Sequence, residues 1–275
     1  PLRHAWGPSQ TGHSVEGVRI GASRDGTRQN NAMCTNYTPT SRDRLRAAKL
    51  GVDHLPETEW PPEVYPGYEA PILVRGGAPG QHDLAPRCVL ARFGLVPRWC
   101  RDAAHAHELA RHTTNARSET ASVKPSFRAP WRERRWALAP MESFFEPCWE
   151  SGRAVRWRIA VAQADLFAAA GLWERWTDPA SGEITTSFTL LTVNADGHAV
   201  MGRMHRPGAD KRMPVLLAPD GFEAWLHATD EQAHALVRQR PAMTLTTEAA
   251  PRPAVPRAPR RPKEPASPDD TPKLF

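Results

Sequence analysis

The chain has 275 residues, 40% of them hydrophobic and 24% charged, which is enough to bury a sizeable core without disulfide staples. Its formal net charge of +6 sits mostly at the ends: residues 1–32 carry four Arg against Glu16 and Asp25, residues 251–275 carry six basic against three acidic side chains, and +1 is left for 33–250. Global charge therefore supports no nucleic-acid claim, which needs a cluster on one face, and four cysteines (Cys34, Cys88, Cys100, Cys148) without C-x-x-C spacing suggest neither a zinc site nor a disulfide framework. No run approaches the roughly 18 apolar residues of a membrane span, and no charged-then-apolar leader is seen. A cytoplasmic protein with no membrane partner is expected.

In chain order, residues 1–32 are rich in Gly, Ser, Arg and Asn with no apolar period, and read as a disordered lead-in. "TSRDRLRAAKLG" from Thr40 offers a Thr40/Ser41 cap, Asp43 in the first turn and Gly51 as a stop, and predicts a short helix. Strands follow: "PILVR" at 71, "VLARFGLV" at 89, "RRWALAPMESFFEP" at 134, and "AVRWRIAVA" at 154, where Val155, Trp157, Ile159 and Val161 alternate with Arg156, Arg158 and Ala160. "LFAAAGLWERW" and "TSFTLLTVNA" flank the turn signal "TDPASGE" and predict an antiparallel hairpin. Two short helices, near 219–227 and 230–239, close the ordered part. The remaining segment is so dense in proline that neither helix nor central strand is expected; residues 246–275 are read as a disordered, basic tail. Strands in a row with helices at the edges make an α+β domain with one core and no βαβ alternation.

No G-x-G-x-x-G, Walker loop, H-E-x-x-H or G-x-S-x-G occurs, so the familiar cofactor and hydrolase routes are closed. Five segments instead combine polar residues with Gly/Pro punctuation: "MCTNY" at 33, "RFGLVPRW" at 92, "TTNARSET" at 113, "MESFFEP" at 141 and "MHRPGADKRMPVLL" at 204. Together, in this order, they resemble the SRAP family (SOS response-associated peptidase; abasic-site processing proteins), over about residues 33–230. The resemblance implies a single domain at 33–245 with a largely antiparallel, barrel-like β core flanked by short helices. It also implies a monomer at the nucleoid that acts on abasic sites in single-stranded DNA, with replication-fork proteins as further partners.

Family members lose the initiator Met and expose a cysteine with a free α-amine, which attacks the abasic aldehyde and holds it as a covalent adduct. Here that residue is Cys34, behind Met33, so residues 1–32 are either an over-extended start or a propeptide. An N-terminal cysteine is a 1,2-aminothiol whose amine forms an imine and whose thiolate closes a thiazolidine ring. Its amine titrates near about 7.7–8.0 against about 10.4 for lysine, so a sizeable minority is deprotonated at neutral pH. No metal or organic cofactor is needed.

The resemblance carries further roles to matching positions. Glu146 would shuttle protons during imine formation, with the alternative of a solvated strand-end glutamate. Asn115 would orient the amine or the sugar, and Arg117 would fork onto a phosphate, while Glu119 is read as a structural partner. His205 is preferred to Asp210 for the family's histidine, although six residues separate it from Arg212 where the usual motif leaves one; a carboxylate donates no proton unless it is itself protonated. Trp99 is a wedge candidate for stacking on a base, whereas Phe93 is read as packing. Arg156, Arg158 and "WRERR" at 131 are candidates for a phosphate track. Asn36 stands where the family's Cys-Gly-Arg opening has arginine and is a weaker phosphate contact, and "EVYPGYEAP" matches the family's R-Y-N-x-A-P only loosely. Two other functions fit the residues: a cysteine peptidase that removes its own N-terminal segment, and a non-covalent binder of damaged single strands.

Overall fold

The computed structural model describes residues 36–252, apart from 49, 53, 78–84, 165 and 242–243. Cys34, the lead-in expected at 1–32, and residues 253–275 of the tail expected at 246–275 therefore lie outside the described residues. Along the chain run β1 (Tyr37–Pro39), α1 (Arg42–Ala47), β2 (Glu69–Val74), β3 (Arg87–Phe93), α2 (Ala103–Ala110), β4 (Asn115–Arg117), α3 (Ser118–Ala121) and α4 (Arg128–Arg132). They are followed by β5 (Trp136–Cys148), β6 (Val155–Val161), β7 (Phe167–Thr177), β8 (Ile184–Asn194), β9 (Arg212–Pro214), β10 (Leu216–Leu217), α5 (Phe222–Leu226), α6 (Asp230–Leu236) and β11 (Leu245–Ala249).

Five strands close on themselves in the order β2, β3, β8, β7, β5 and back to β2. Four of the five seams are antiparallel; β3 meets β8 in parallel, Arg92 opposite Ser187 and Phe93 opposite Phe188. A barrel has no free edge, and Ile72, Phe93, Phe144, Phe167 and Phe188 on its strands are all essentially inaccessible to solvent. Phe93 stacks on Phe188 at 5.1 Å and meets Tyr37 edge-on at 5.7 Å, so it packs as the sequence predicts. One residue permits the closest seam: a Cβ on Gly171 of β7 would stand 2.2 Å from the Thr189 carbonyl oxygen of β8, a contact that only glycine avoids.

The β7–β8 hairpin forms as expected, pairing from Gly171↔Leu190 to Thr177↔Ile184. Asp178 nucleates its turn by accepting from the Ala180 amide (3.1 Å) and the Ser181 hydroxyl (2.8 Å). Ser41 caps α1 by accepting from the Arg44 amide, and the helix ends at Ala47, before the expected stop at Gly51. Outside the barrel, Trp131, Trp136 and Trp225 form an aromatic chain with 5.0 Å centroid spacings. The Trp136 and Trp225 indole N–H groups donate to the carbonyls of Ala228 and Ala137, which fixes α5 to the barrel wall.

β11 corrects the expected domain boundary at 245. Residues Leu245–Ala249 pair with Trp157–Val161 of β6, so the ordered domain runs on to at least Arg252. The proline that stops regular structure begins only after this strand. No helix among the described residues is long and apolar enough to cross a membrane.

Candidate active site

β5 is thirteen residues long and does two jobs. Its first half, Trp136–Met141, is sewn to β7, and its second half, Phe144–Cys148, pairs with β6. Strand alternation in the second half turns Phe144, Glu146 and Cys148 inward, whereas Phe145 and Pro147 remain half-buried. Glu146 is 2% exposed, so the strand-end alternative of a solvated glutamate is excluded.

The chain returns to Glu146 through the 204–212 segment. Met204 bridges Cys148, and the His205 amide donates to the Pro147 carbonyl at 2.7 Å. His205 has a left-handed backbone, φ +61°, and a buried ring (7% exposed) whose Nδ1 stands 3.6 Å from Glu146 Oε2. Its Nε2 lies 3.3 Å from the Arg212 carbonyl. A carbonyl only accepts, so this contact is a hydrogen bond in the tautomer that carries its proton on Nε2. Burial pushes the His205 pKa below the ordinary histidine value, and Lys211 adds to this; the Arg212 carbonyl and Asp210 oppose it.

Asp210, the other candidate for the histidine place, does not face Glu146 in this way; it pairs with Arg117 at 2.7 Å. That ion pair ties β4 to the same corner. Asn115, two residues earlier, is half-buried opposite Leu190 of β8, and its amide donates to the Thr114 hydroxyl. Glu119 is structural, as expected: Arg212 grips it with two 2.7 Å bonds while also donating to the Thr192 carbonyl. The guanidinium beside Glu119 holds its carboxyl below the usual range.

Glu146 also forms part of the wall of an open groove of about 720 Å³, shared with Asn36, Phe145, Arg153, Arg156 and Arg252. Arg156 lies 3.3 Å over the Phe145 ring, donates to Asn36 Oδ1 at 2.7 Å and to the Ala250 carbonyl at 3.3 Å, and pairs with Glu63. Asn36 is buried, with its amide spent on the Val64 carbonyl (3.1 Å) and its oxygen on Arg156. It is therefore a bracket for Arg156 instead of the direct phosphate contact expected.

Other expected contacts disperse. Arg158 pairs with Glu248 of β11 at 3.2 Å. The "WRERR" track does not form: Trp131 is core, Arg134 pairs with Asp230, and Glu133 and Arg135 join Arg98 around the buried Glu174. Trp99 is 46% exposed, with its indole N–H on the Pro125 carbonyl and its ring beside His105, which leaves an aromatic face available.

Three participants escaped sequence reasoning. Glu63 opens "EVYPGYEAP", too loose a match to carry a role, Arg252 falls in the segment read as a basic tail, and Lys211 lies in the spacer between His205 and Arg212. Only the last had a local signal, a basic residue between an expanded loop and a matched motif. Cys88 and Cys100 are inert on this structure, since burial pushes their thiols up to about 12 and about 11. Among the described residues no three His, Cys, Asp or Glu side chains converge as a metal site.

Comparison with known proteins identifies relatives in sequence and in fold. Abasic site processing protein YoqW of Bacillus subtilis (strain 168) is 29% identical over 201 residues, covering 71% of this chain and 80% of its own. Abasic site processing protein HMCES of Pongo abelii is 26% identical over 221 residues, 65% of this chain and 58% of its own. A crystal structure of a Bordetella bronchiseptica protein superposes with a TM-score of 0.70 at 30% identity, covering 79% of this chain and 99% of the other. A Bacteroides thetaiotaomicron structure gives 0.66 at 22% identity, covering 78% and 91%, and shows the shared fold. The sequence model of SOS response associated peptidase (SRAP) matches residues 33–252, and the chain belongs to that family.

Proposed function

We propose that this protein processes abasic sites in single-stranded DNA by forming a covalent crosslink through Cys34. The observation that carries the reading is the buried Glu146, with His205 beside it, on the wall of a groove that also holds Arg153, Arg156 and Arg252. Asn36, two residues after Cys34 in the chain, lines the same groove, and two residues of chain reach at most about 7 Å. Names of relatives that process abasic sites support the substrate class.

In this reading the Cys34 amine adds to the ring-opened sugar aldehyde and loses water to give an imine. The thiol then adds across the C=N bond: sulfur bonds to carbon, and the thiol proton ends on nitrogen. The balance is one water released and no oxidant consumed. Glu146 accepts a proton from the attacking amine and returns it to the departing hydroxyl, with His205 as its proton partner. The groove arginines, with Arg117, hold phosphates, and the open face of Trp99 takes an unstacked base. The chemistry needs a free amine on Cys34, so a chain that keeps residues 1–33 is inert toward abasic DNA.

The test begins the chain at Met33, verifies Met removal by mass spectrometry, and adds single-stranded DNA bearing one abasic site. A stable adduct lost in Cys34→Ala supports the reading; an adduct that persists in Cys34→Ala, or none from the processed chain, refutes it. Spontaneous cleavage of the full chain before Cys34 would favour a self-processing peptidase.

A further inference from the structure

We infer that Lys211 is a positioning residue: its ammonium fills a cage of three consecutive carbonyls and so fixes the His205 ring against Glu146. Nζ donates to the carbonyls of Met204 (2.6 Å), His205 (3.0 Å) and Arg206 (3.3 Å), which uses all three ammonium protons. The cage matters because His205 adopts a left-handed backbone at φ +61° without being glycine, a conformation that persists only when its surroundings impose it.

Two anchors impose it here. On one side the His205 amide is tied to Pro147 of β5; on the other its carbonyl is tied to Lys211. The lysine itself is rigidly based, since the next residue, Arg212, is locked onto Glu119 and the Thr192 carbonyl. The expanded loop, with Gly208 at φ +78°, thus closes over its own cation, and His205 is pinned where a six-residue spacer would otherwise let it swing. The charged groups facing the imidazole are Glu146 from β5 and, from the loop, Lys211 and the Arg117-paired Asp210. Lys211 disfavours a second proton on the ring, which keeps Nδ1 available to Glu146.

This inference rests on the role proposed for His205, and its test uses one readout with DNA and one without. In the processed protein, Lys211→Met removes the donors at equal length, and Lys211→Arg keeps them. The expected result is an adduct rate lowered about tenfold or more in Lys211→Met, DNA affinity within about twofold, and recovery of at least half the rate in Lys211→Arg. Nitrogen NMR of the His205 ring, without DNA, should change from a single Nε2–H tautomer to a mixture in Lys211→Met alone. Should that variant not fold, Lys211→Ala with added ethylammonium tests the same cage, and rate recovery with the amine is the supporting outcome. A wild-type rate and an unchanged tautomer in Lys211→Met, or no amine rescue in Lys211→Ala, overturns the inference. If the wild-type chain forms no adduct, the proposed function fails, while the ring nitrogen signals still decide the role of Lys211.

Discussion

Glu146 and Glu174 sit on neighbouring strands of one barrel, 2% and 1% exposed, yet their surroundings differ in kind. Glu174 receives Arg98 Nε at 3.1 Å, Arg135 Nη1 at 2.6 Å and the Arg175 amide at 3.0 Å. Both guanidinium groups also share Glu133, which holds the Glu133 carboxyl low and the Arg98 guanidinium high. Arginine does not give up its proton in a protein, so Arg98 and Arg135 serve Glu174 as fixed positive struts. Glu146 stands beside the His205 imidazole, a group that can take up and release a proton, and on the wall of an open groove. Burial is common to both carboxyls; what sets Glu146 apart, and what the proposed mechanism uses, is a neighbour able to exchange a proton.

Four experiments break or sharpen that contrast. Glu174→Gln removes the buried partner of two part-exposed guanidinium groups that keep Glu133 and should cost about 2 kcal/mol of stability in denaturant melts, with the adduct rate per folded molecule unchanged. Glu146→Gln should do the opposite: melting within about 1 kcal/mol, and adduct formation slower by about 100-fold or more with DNA affinity held. Equal losses of rate and affinity would remove Glu146 from the chemistry.

The third experiment concerns pH. The folded His205 pKa lies below its unfolded value of about 6.5, so the unfolded chain binds the proton more readily. Its contribution to stability is complete above about pH 6.5 and declines as pH falls toward the folded pKa, by at most about 1.4 kcal/mol per pH unit. Melting profiles of His205→Asn between pH 7.5 and 5.5 should lose that slope. The smallest effect is expected at Glu63, which occupies Arg156 in the free protein. Glu63→Gln should raise affinity for single-stranded DNA by about threefold and steepen its salt dependence by about one phosphate contact; weaker binding would show that Glu63 only orients Arg156.

The long strands were legible because their pattern is local. Val155, Trp157, Ile159 and Val161 alternate along β6, and the Asp178 turn announces the β7–β8 hairpin. Glu146 was legible because its motif lies within one strand. The parallel seam between β3 and β8 was not, since nothing near Arg92 encodes Ser187 as its neighbour. α2 was also missed: Asp102 caps it, but its Ala/His composition leaves a weak apolar face. The arginines show the same limit most clearly. Arg98, Arg117, Arg156 and Arg158 are equivalent as letters, and only the fold assigns them to Glu174, Asp210, Glu63 and Glu248.

The parallel seam also dictates a timetable. A hairpin such as β7–β8 zips from its own turn, whereas β3 must wait for β8 to be made, and β4 pairs in parallel with β8 as well. Such distant pairings form late because loop closure precedes any reward. Asp210, Lys211 and Arg212, which brace His205, come later still along the chain, after β8. In the proposed mechanism Cys34 therefore leaves the ribosome long before its proton-shuttling partner His205 is braced, and the nascent chain would carry that cysteine without a finished site until the last strands close.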